Sequence, residues 1–343
     1  MEKIQDARRA VLVINYNGKD VSTDLAKFLT DFTYNDAAPG DADDISINLE
    51  DRAQNWLGPW SPVEGDKIKV EIRTVNWEKR GEIKKLPLGS FEVDTFEFKG
   101  PPDAVSIKAL SIPLGSDIRQ EKRSRSWEKV ALKTVAAQVA KNSGLKLLYE
   151  TKDNPSYDRL DQSGMSDLAF LVDTAKKEAI AIKVAGGQLI LFDESDYEKK
   201  KTIATITRGK DNVLSYGFGW STTLVAYRAC EVSYTDAKAK KTYKATYSPP
   251  FAPKKGPVLK LNEQVDSQAA ALRLAQKSLR EKNKEAGKGS LTLMGDIRMA
   301  TGLTINIKGW KRFDGKYIIE SCSHSLGSGG YVTSLGIRKV LGW

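Results

Sequence analysis

The chain has one histidine, His324, and two cysteines, Cys230 and Cys322, among 343 residues. A lone imidazole can neither build a metal cluster nor pass a proton to a second one, so the histidine-dependent hydrolase centres are excluded. The cysteines lack the paired spacing of zinc or thiol redox sites and are too few for a disulfide framework; they read as small buried hydrophobes. No run reaches the roughly 18 apolar residues a membrane helix needs. The segment Met1–Arg9 is charged where a signal peptide requires an apolar centre, which points to synthesis and initial residence in the cytosol. A phosphate-binding loop is missing too. Ala185-Gly186-Gly187-Gln188 has no following Lys-Ser/Thr and reads as a turn between strands. Carboxylates are plentiful, but no pair stands in a context that marks it as catalytic. No catalytic, metal-binding or cofactor-binding residue is therefore expected, and no cofactor.

What is present is an ordinary globular composition, 40% hydrophobic and 29% charged, with a formal charge of +10 from 54 Lys plus Arg against 44 Asp plus Glu. The length suits two or three domains. The densest basic runs are Lys122–Arg125, Lys199–Lys201, Lys238–Lys244 and Lys277–Lys288. Each contains or adjoins acidic or hydroxyl residues, and none is interleaved with the spaced aromatics that stack on single strands. They read as solvated loops and helix faces, and specific nucleic-acid binding is not expected. A positive surface also suits docking onto acidic protein partners.

From Ala10 to about Leu110 the pattern alternates with period two, as in Val11–Tyr16, Asp44–Leu49 and Lys67–Arg73, between turn signals such as Asn17-Gly18 and Pro39-Gly40. A small antiparallel barrel or sandwich over residues 1–111 follows. From Pro113 the texture becomes mixed. Ser126 is a candidate cap for a helix carrying Leu132, Val135, Ala136 and Val139, stopped by Gly144. A strand at Leu145–Tyr149, a polar loop, a second helix capped near Ser166, and strands Ala179–Ala185 and Gln188–Phe192 complete an inserted mixed domain over 112–207. The third region, 208–343, begins with strands Val213–Trp220 and Leu224–Tyr234. A turn at Asp236–Lys241 and a return strand at Thr242–Tyr247 follow, and Pro249, Pro250 and Pro253 break the pattern. An amphipathic helix over about 267–283, with Leu272, Ala275 and Leu279 on one face, interrupts this second β region. Strands resume at Ser290 and end in a hairpin, Lys316–Leu326 and Tyr331–Val340, about Gly327–Gly330. The fold class is α+β, mostly β: two small antiparallel barrels with a mixed domain inserted between them.

Seven tryptophans are many for this length. Trp56 and Trp60 flank Leu57-Gly58-Pro59, a spacing that pins a loop to a barrel end or forms a contact surface. With Phe251 and Trp343 they are the candidate partner contacts. His324, in an alternating strand beside Cys322, reads as a structural hydrogen-bonding group.

Two segments carry a family resemblance. Asp44–Asp51, followed by Trp56, Trp60, Pro62, Gly65-Asp66 and the strand Lys67–Arg73, resembles the first tube-type barrel of the phage late control D family, the tail hub proteins of contractile-tailed phages and their prophage relatives. Phe313–Glu320, Ser323-His324-Ser325 and Gly329–Leu335 resemble the closing hairpin of that family's second barrel. The resemblance implies a non-enzymatic homotrimeric hub, two tube-type barrels per chain, whose ring of six adapts a six-fold tail tube to a three-fold spike. Implied partners are the chain itself, the tube protein, the spike and other baseplate proteins, with no membrane. The implied location is the baseplate of a virion or phage-tail-like particle, after synthesis in the bacterial host cytoplasm. Some relatives continue into a β-helical needle or a lytic domain. This chain stops at Trp343, so piercing or wall-cutting activity is expected in another polypeptide. The rival readings are a cell-wall-degrading tail enzyme, which would need a carboxylate pair converging in a cleft, and a nucleic-acid-binding protein, which would need the basic runs merged into one stripe.

Overall fold

A computed structural model of the chain describes residues 7–112, 118–220, 227–236, 240–252, 254–265 and 267–343. The sequence markers Pro113, Leu224 and Pro253, and the middle of the turn at Asp236–Lys241, lie outside the described residues.

The first β block holds β1 (Arg9–Tyr16), β2 (Lys19–Asp20), the single-turn α1 (Ser22–Leu25), β3 (Leu29–Asp36), β4 (Asp44–Glu50), β5 (Lys67–Val75), β6 (Ile83–Lys99) and β7 (Ala104–Leu110). Alternation dictates what each strand buries: Ile45, Ile47 and Leu49 of β4 and Ile68, Val70 and Ile72 of β5 face one core, with polar residues between them. Asn17 and Gly18, at φ 49 and 88, form the tight turn from β1 to β2.

The mixed block holds β8 (Lys122–Ala131), α2 (Leu132–Asn142), β9 (Lys146–Glu150), β10 (Ser156–Ser166), α3 (Asp167–Lys177), β11 (Ile180–Ala185), β12 (Gln188–Asp193) and α4 (Glu194–Lys199). Here the structure corrects two expectations. Ser126 lies within β8 and caps nothing; α2 begins after Ala131, without a side-chain cap. The polar loop before Ser166 is largely β10, paired antiparallel with β8. Both departures have one cause. Alternate β8 side chains Arg123 and Arg125 reach the buried Asp167, holding the basic run extended. Ser166 does cap α3, accepting from the Ala169 amide at 3.3 Å.

The last region holds β13 (Ala204–Thr207), β14 (Val213–Trp220), β15 (Ala229–Asp236), β16 (Lys241–Tyr247), β17 (Val258–Leu261), α5 (Gln268–Lys284), β18 (Gly287–Met294), β19 (Thr304–Lys308), β20 (Gly315–Gly327) and β21 (Gly330–Lys339). Strands β15 to β17 make a separate three-stranded sheet that packs on α5 around its own core. Leu272, expected on the buried face of α5, is exposed; Ala271, Ala275, Leu279 and Asn283, spaced by four, are buried, together with Arg280.

Apart from the β8–β10 pair, the β9-β12-β11 sheet and the β15–β17 sheet, the strands form one sheet running β14-β18-β21-β20-β3-β4-β7-β6-β5-β1-β2, with β19 also paired to β20 and β13 to β19. The molecule is mostly β, and among the described residues no sheet closes on itself. The two blocks share one topology. Strand order β3-β4-β7-β6-β5-β1 in the first matches β14-β18-β21-β20-β19-β13 in the second, in space and along the chain. Even the irregularities correspond. The β3–β4 ladder slips between Leu29 and Asp31 and the β14–β18 ladder between Val213 and Ser215. The β6–β7 ladder slips between Val93 and Thr95 and the β20–β21 ladder between Ile319 and Ser321. A faint sequence echo follows these ladders: Ser46-Ile47-Asn48-Leu49 aligns with Ser290-Leu291-Thr292-Leu293, and Val93-Asp94-Thr95 with Ile319-Glu320-Ser321. The outermost strands differ, since β1 runs antiparallel to β5 but β13 parallel to β19.

Candidate functional site

The two blocks meet where β3 pairs with β20, from Asp31 opposite Gly327 to Asp36 opposite Cys322. At the end of that junction Lys183, projecting from β11, is paired with Asp36 and lies 3.2 Å from Asp43. Asp43 also accepts from the Tyr34 hydroxyl at 3.1 Å and the Ala37 amide at 3.0 Å, and Asp36 from the Thr301 amide at 2.6 Å. All three parts of the chain are thereby tied at one buried point. Burial pushes the Asp43 carboxyl up to about 6, Lys183 opposing the rise and Asp36 adding to it. Lys183 itself, which burial alone would lower, is held above the ordinary lysine range by Asp36 and Asp43.

A second buried cluster surrounds Arg338 of β21. Its guanidinium meets Glu198 at 2.6 Å, Glu194 at 2.7 Å and Glu320 at 3.0 Å, while Lys284 of α5 meets Glu194 at 2.8 Å and Arg280 meets Glu198 at 2.7 Å. Burial would raise Glu194, but Lys284 and Arg338 outweigh it and hold the carboxyl below its ordinary range. Glu320 is pushed up by burial, which Arg338 only partly offsets. A shallow cleft of about 280 Å³ borders this cluster, lined by Glu194, Glu281, Lys284, Lys288 and Glu320 among others. Its carboxylates are committed to cations, so the geometry organises α4, α5 and the β20–β21 hairpin rather than exposing an acid pair. The sequence signals for the two clusters are a lysine in the apolar strand Ile180–Ala185 and an arginine in Gly336–Val340.

His324 is buried, with its ring 2.7 Å from the Tyr331 hydroxyl and 3.1 Å from the Met299 carbonyl; burial lowers its proton affinity. It is a packing group in the β20–β21 hairpin. Cys230 and Cys322 are both buried and free. Among the described residues no three or more His, Cys, Asp or Glu side chains converge as a metal set, and no helix is long and apolar enough to cross a membrane.

The four candidate contact residues fall in different settings. Trp56 and Trp60 meet edge to face at 5.6 Å, over a loop that the buried Asp51 pins by accepting from the Trp56 and Leu57 amides. With Tyr16, Val21, Leu25 and Pro59 they line an apolar cleft of about 350 Å³, and Trp60 remains 47% exposed. Trp343 packs near Tyr247, its carbonyl accepting from Arg280. Phe251 stands 88% exposed beyond β16. Several cations of the basic runs pair within the chain: Arg123 and Arg125 with Asp167, Lys277 with Glu178, Lys284 with Glu194, and Lys199 at the surface with Asp196. Lys238 lies outside the described residues.

The chain combines duplicated sheets with open edges, buried charge-tied joints and exposed aromatic side chains. The fold is that of phage tail proteins: the tail protein of Neisseria meningitidis MC58 superposes with a TM-score of 0.71 at 13% identity, covering 96% of this chain and 97% of its own. By sequence the chain is 22% identical to the probable baseplate hub protein of Escherichia phage 186 over 96% of this chain and 92% of that one. It is 28% identical to the probable baseplate hub protein of Escherichia phage P2 over 56% of this chain and 48% of that one. The family described as YQBQ-like matches residues 181–338. The resemblance to the probable baseplate hub protein of phage 186 extends over 96% of this chain.

Proposed function

We propose that the chain is the hub that joins the six-fold tail tube of a contractile particle to its three-fold spike. In this reading three copies assemble, residues 1–111 and 208–343 of each supplying two tube-type barrels, and residues 112–207 forming the inserted domain at the periphery. The observation that carries it is the duplicated topology, because two equivalent blocks per chain let a three-fold assembly offer six similar sites. Barrel curvature would be completed in the ring, where neighbours cover the open sheet edges. The hub works without catalysis, a reading supported by the pairing of its buried carboxylates with Arg338, Arg280, Lys284 and Lys183. Trp56, Trp60, Phe251 and Trp343 would offer partner contacts, Trp343 also lying near Tyr247 with its carbonyl accepting from Arg280. Electron cryo-microscopy of assembled particles tests this directly. Three copies of the chain between tube and spike are expected; a location elsewhere in the particle would overturn the reading. The pure chain is further expected to leave peptidoglycan intact in a clearing assay, and clearing would favour the enzyme alternative.

A further inference from the structure

The internal junction is a template for a second one that the single chain leaves unmade. On the side of β20 away from β21, β19 covers the first part of the strand and β3 the rest. The equivalent side of β6 is covered by β5 over Ile83–Glu92, and Val93 exchanges hydrogen bonds with Gly65 and Asp66 as Ile319 does with Gly302 and Leu303. Beyond that point Thr95–Lys99 has no strand partner on this side among the described residues. The strand equivalent to β3 is β14, which among the described residues pairs only with β18 and forms one end of the sheet. Thus the β3 counterpart, at one end of the strand order, and the last stretch of the β20 counterpart, three strands in from the other end, both have an uncovered side among the described residues.

We propose that β14 of one copy adds antiparallel to the open stretch of β6 in the next copy, repeating between chains the β3–β20 junction made within each. This deepens the hub reading, on which it rests, by naming the strands and the register that close the ring. The ladders fix that register. Asn35 faces Ser323 in the internal junction; Asn35 corresponds to Gly219, and Ser323 to Glu97. Gly219 should therefore face Glu97, and Gly217 should face Lys99. The chemistry of the edges agrees. Val213–Trp220 carries no charge to discourage strand addition, and both edges leave apolar side chains in solvent: Leu214 is 61% exposed, Tyr216 45% and Phe96 40%. A head-to-tail contact of this kind uses different surfaces on the two partners and generates a ring when its rotation closes.

Disulfide trapping in the full-length chain tests the register. Directly opposed residues bring their Cα atoms within disulfide range, whereas a two-residue slip does not. Under oxidation, Gly219→Cys with Glu97→Cys is expected to link chains into covalent dimers and trimers, as is the second in-register pair, Gly217→Cys with Lys99→Cys. Gly219→Cys with Thr95→Cys is expected to give about tenfold less product. A multimeric solution mass with no linkage from either in-register pair would overturn the strand pairing and leave the hub reading standing. A monomer without linkage at any concentration would overturn both, and equal linkage from the shifted pair would overturn the register.

Discussion

At the scale of single residues, the buried charges explain most of what joins the parts, and their cost makes them testable. Removing Arg338 leaves Glu194, Glu198 and Glu320 facing a cavity with too little positive charge. Arg338→Met should therefore lower stability by about 3 kcal/mol in urea unfolding. Asp43 makes a prediction of opposite character. Its carboxyl is raised from 3.8 to about 6 by burial, so the folded chain holds that proton more tightly than the unfolded one. Its contribution to stability is full below about pH 4 and is lost as pH rises through about 6. Asp43→Asn should abolish this component: wild-type melting temperature should fall relative to the variant between those values, and parallel profiles would contradict the assignment. Neither cluster was legible in the sequence as a cluster. Lys183 is one cation in an apolar strand and Arg338 sits beside Lys339 near a strand end, and their acidic partners other than Glu320 lie more than a hundred residues away.

At the scale of elements, alternation made the strands readable while caps and bulges decided the boundaries. Ser166 and Ser267 each accept from the amide three residues on, and Ser→Ala at either should cost about 1 kcal/mol in thermal or urea unfolding. Ser126 looked like the same signal and was not, because the antiparallel ladder with β10 and the pairing of Arg125 with Asp167 claim its strand first. The contact between blocks is as exacting as the contacts within them. Gly295 accepts from the Trp77 indole at 2.6 Å, and a Cβ there would fall 2.0 Å from the Tyr331 ring. Gly295→Ala should thus cost about 1 to 3 kcal/mol, read in urea unfolding, as the ring and its bond to His324 are displaced.

At the scale of the whole molecule, the β, mixed, β sequence of textures was legible because hydrophobic period survives where residue identity does not. The separate β15–β17 sheet and the single strand order shared by the two blocks were hidden, since pairing is set by long-range ladders and only a few positions, such as Ser46 and Ser290, keep a visible echo. A ring closed by backbone pairing and apolar side chains should tolerate salt, whereas one held by the basic runs would weaken as exposed charges are screened. The most direct test of the account is the mass of the purified chain in solution, measured across concentration and at about 0.5 M salt, where surface pairs are largely screened. The account predicts a trimer that persists at that salt; a monomer at every concentration, unchanged when the spike partner is added, would contradict it.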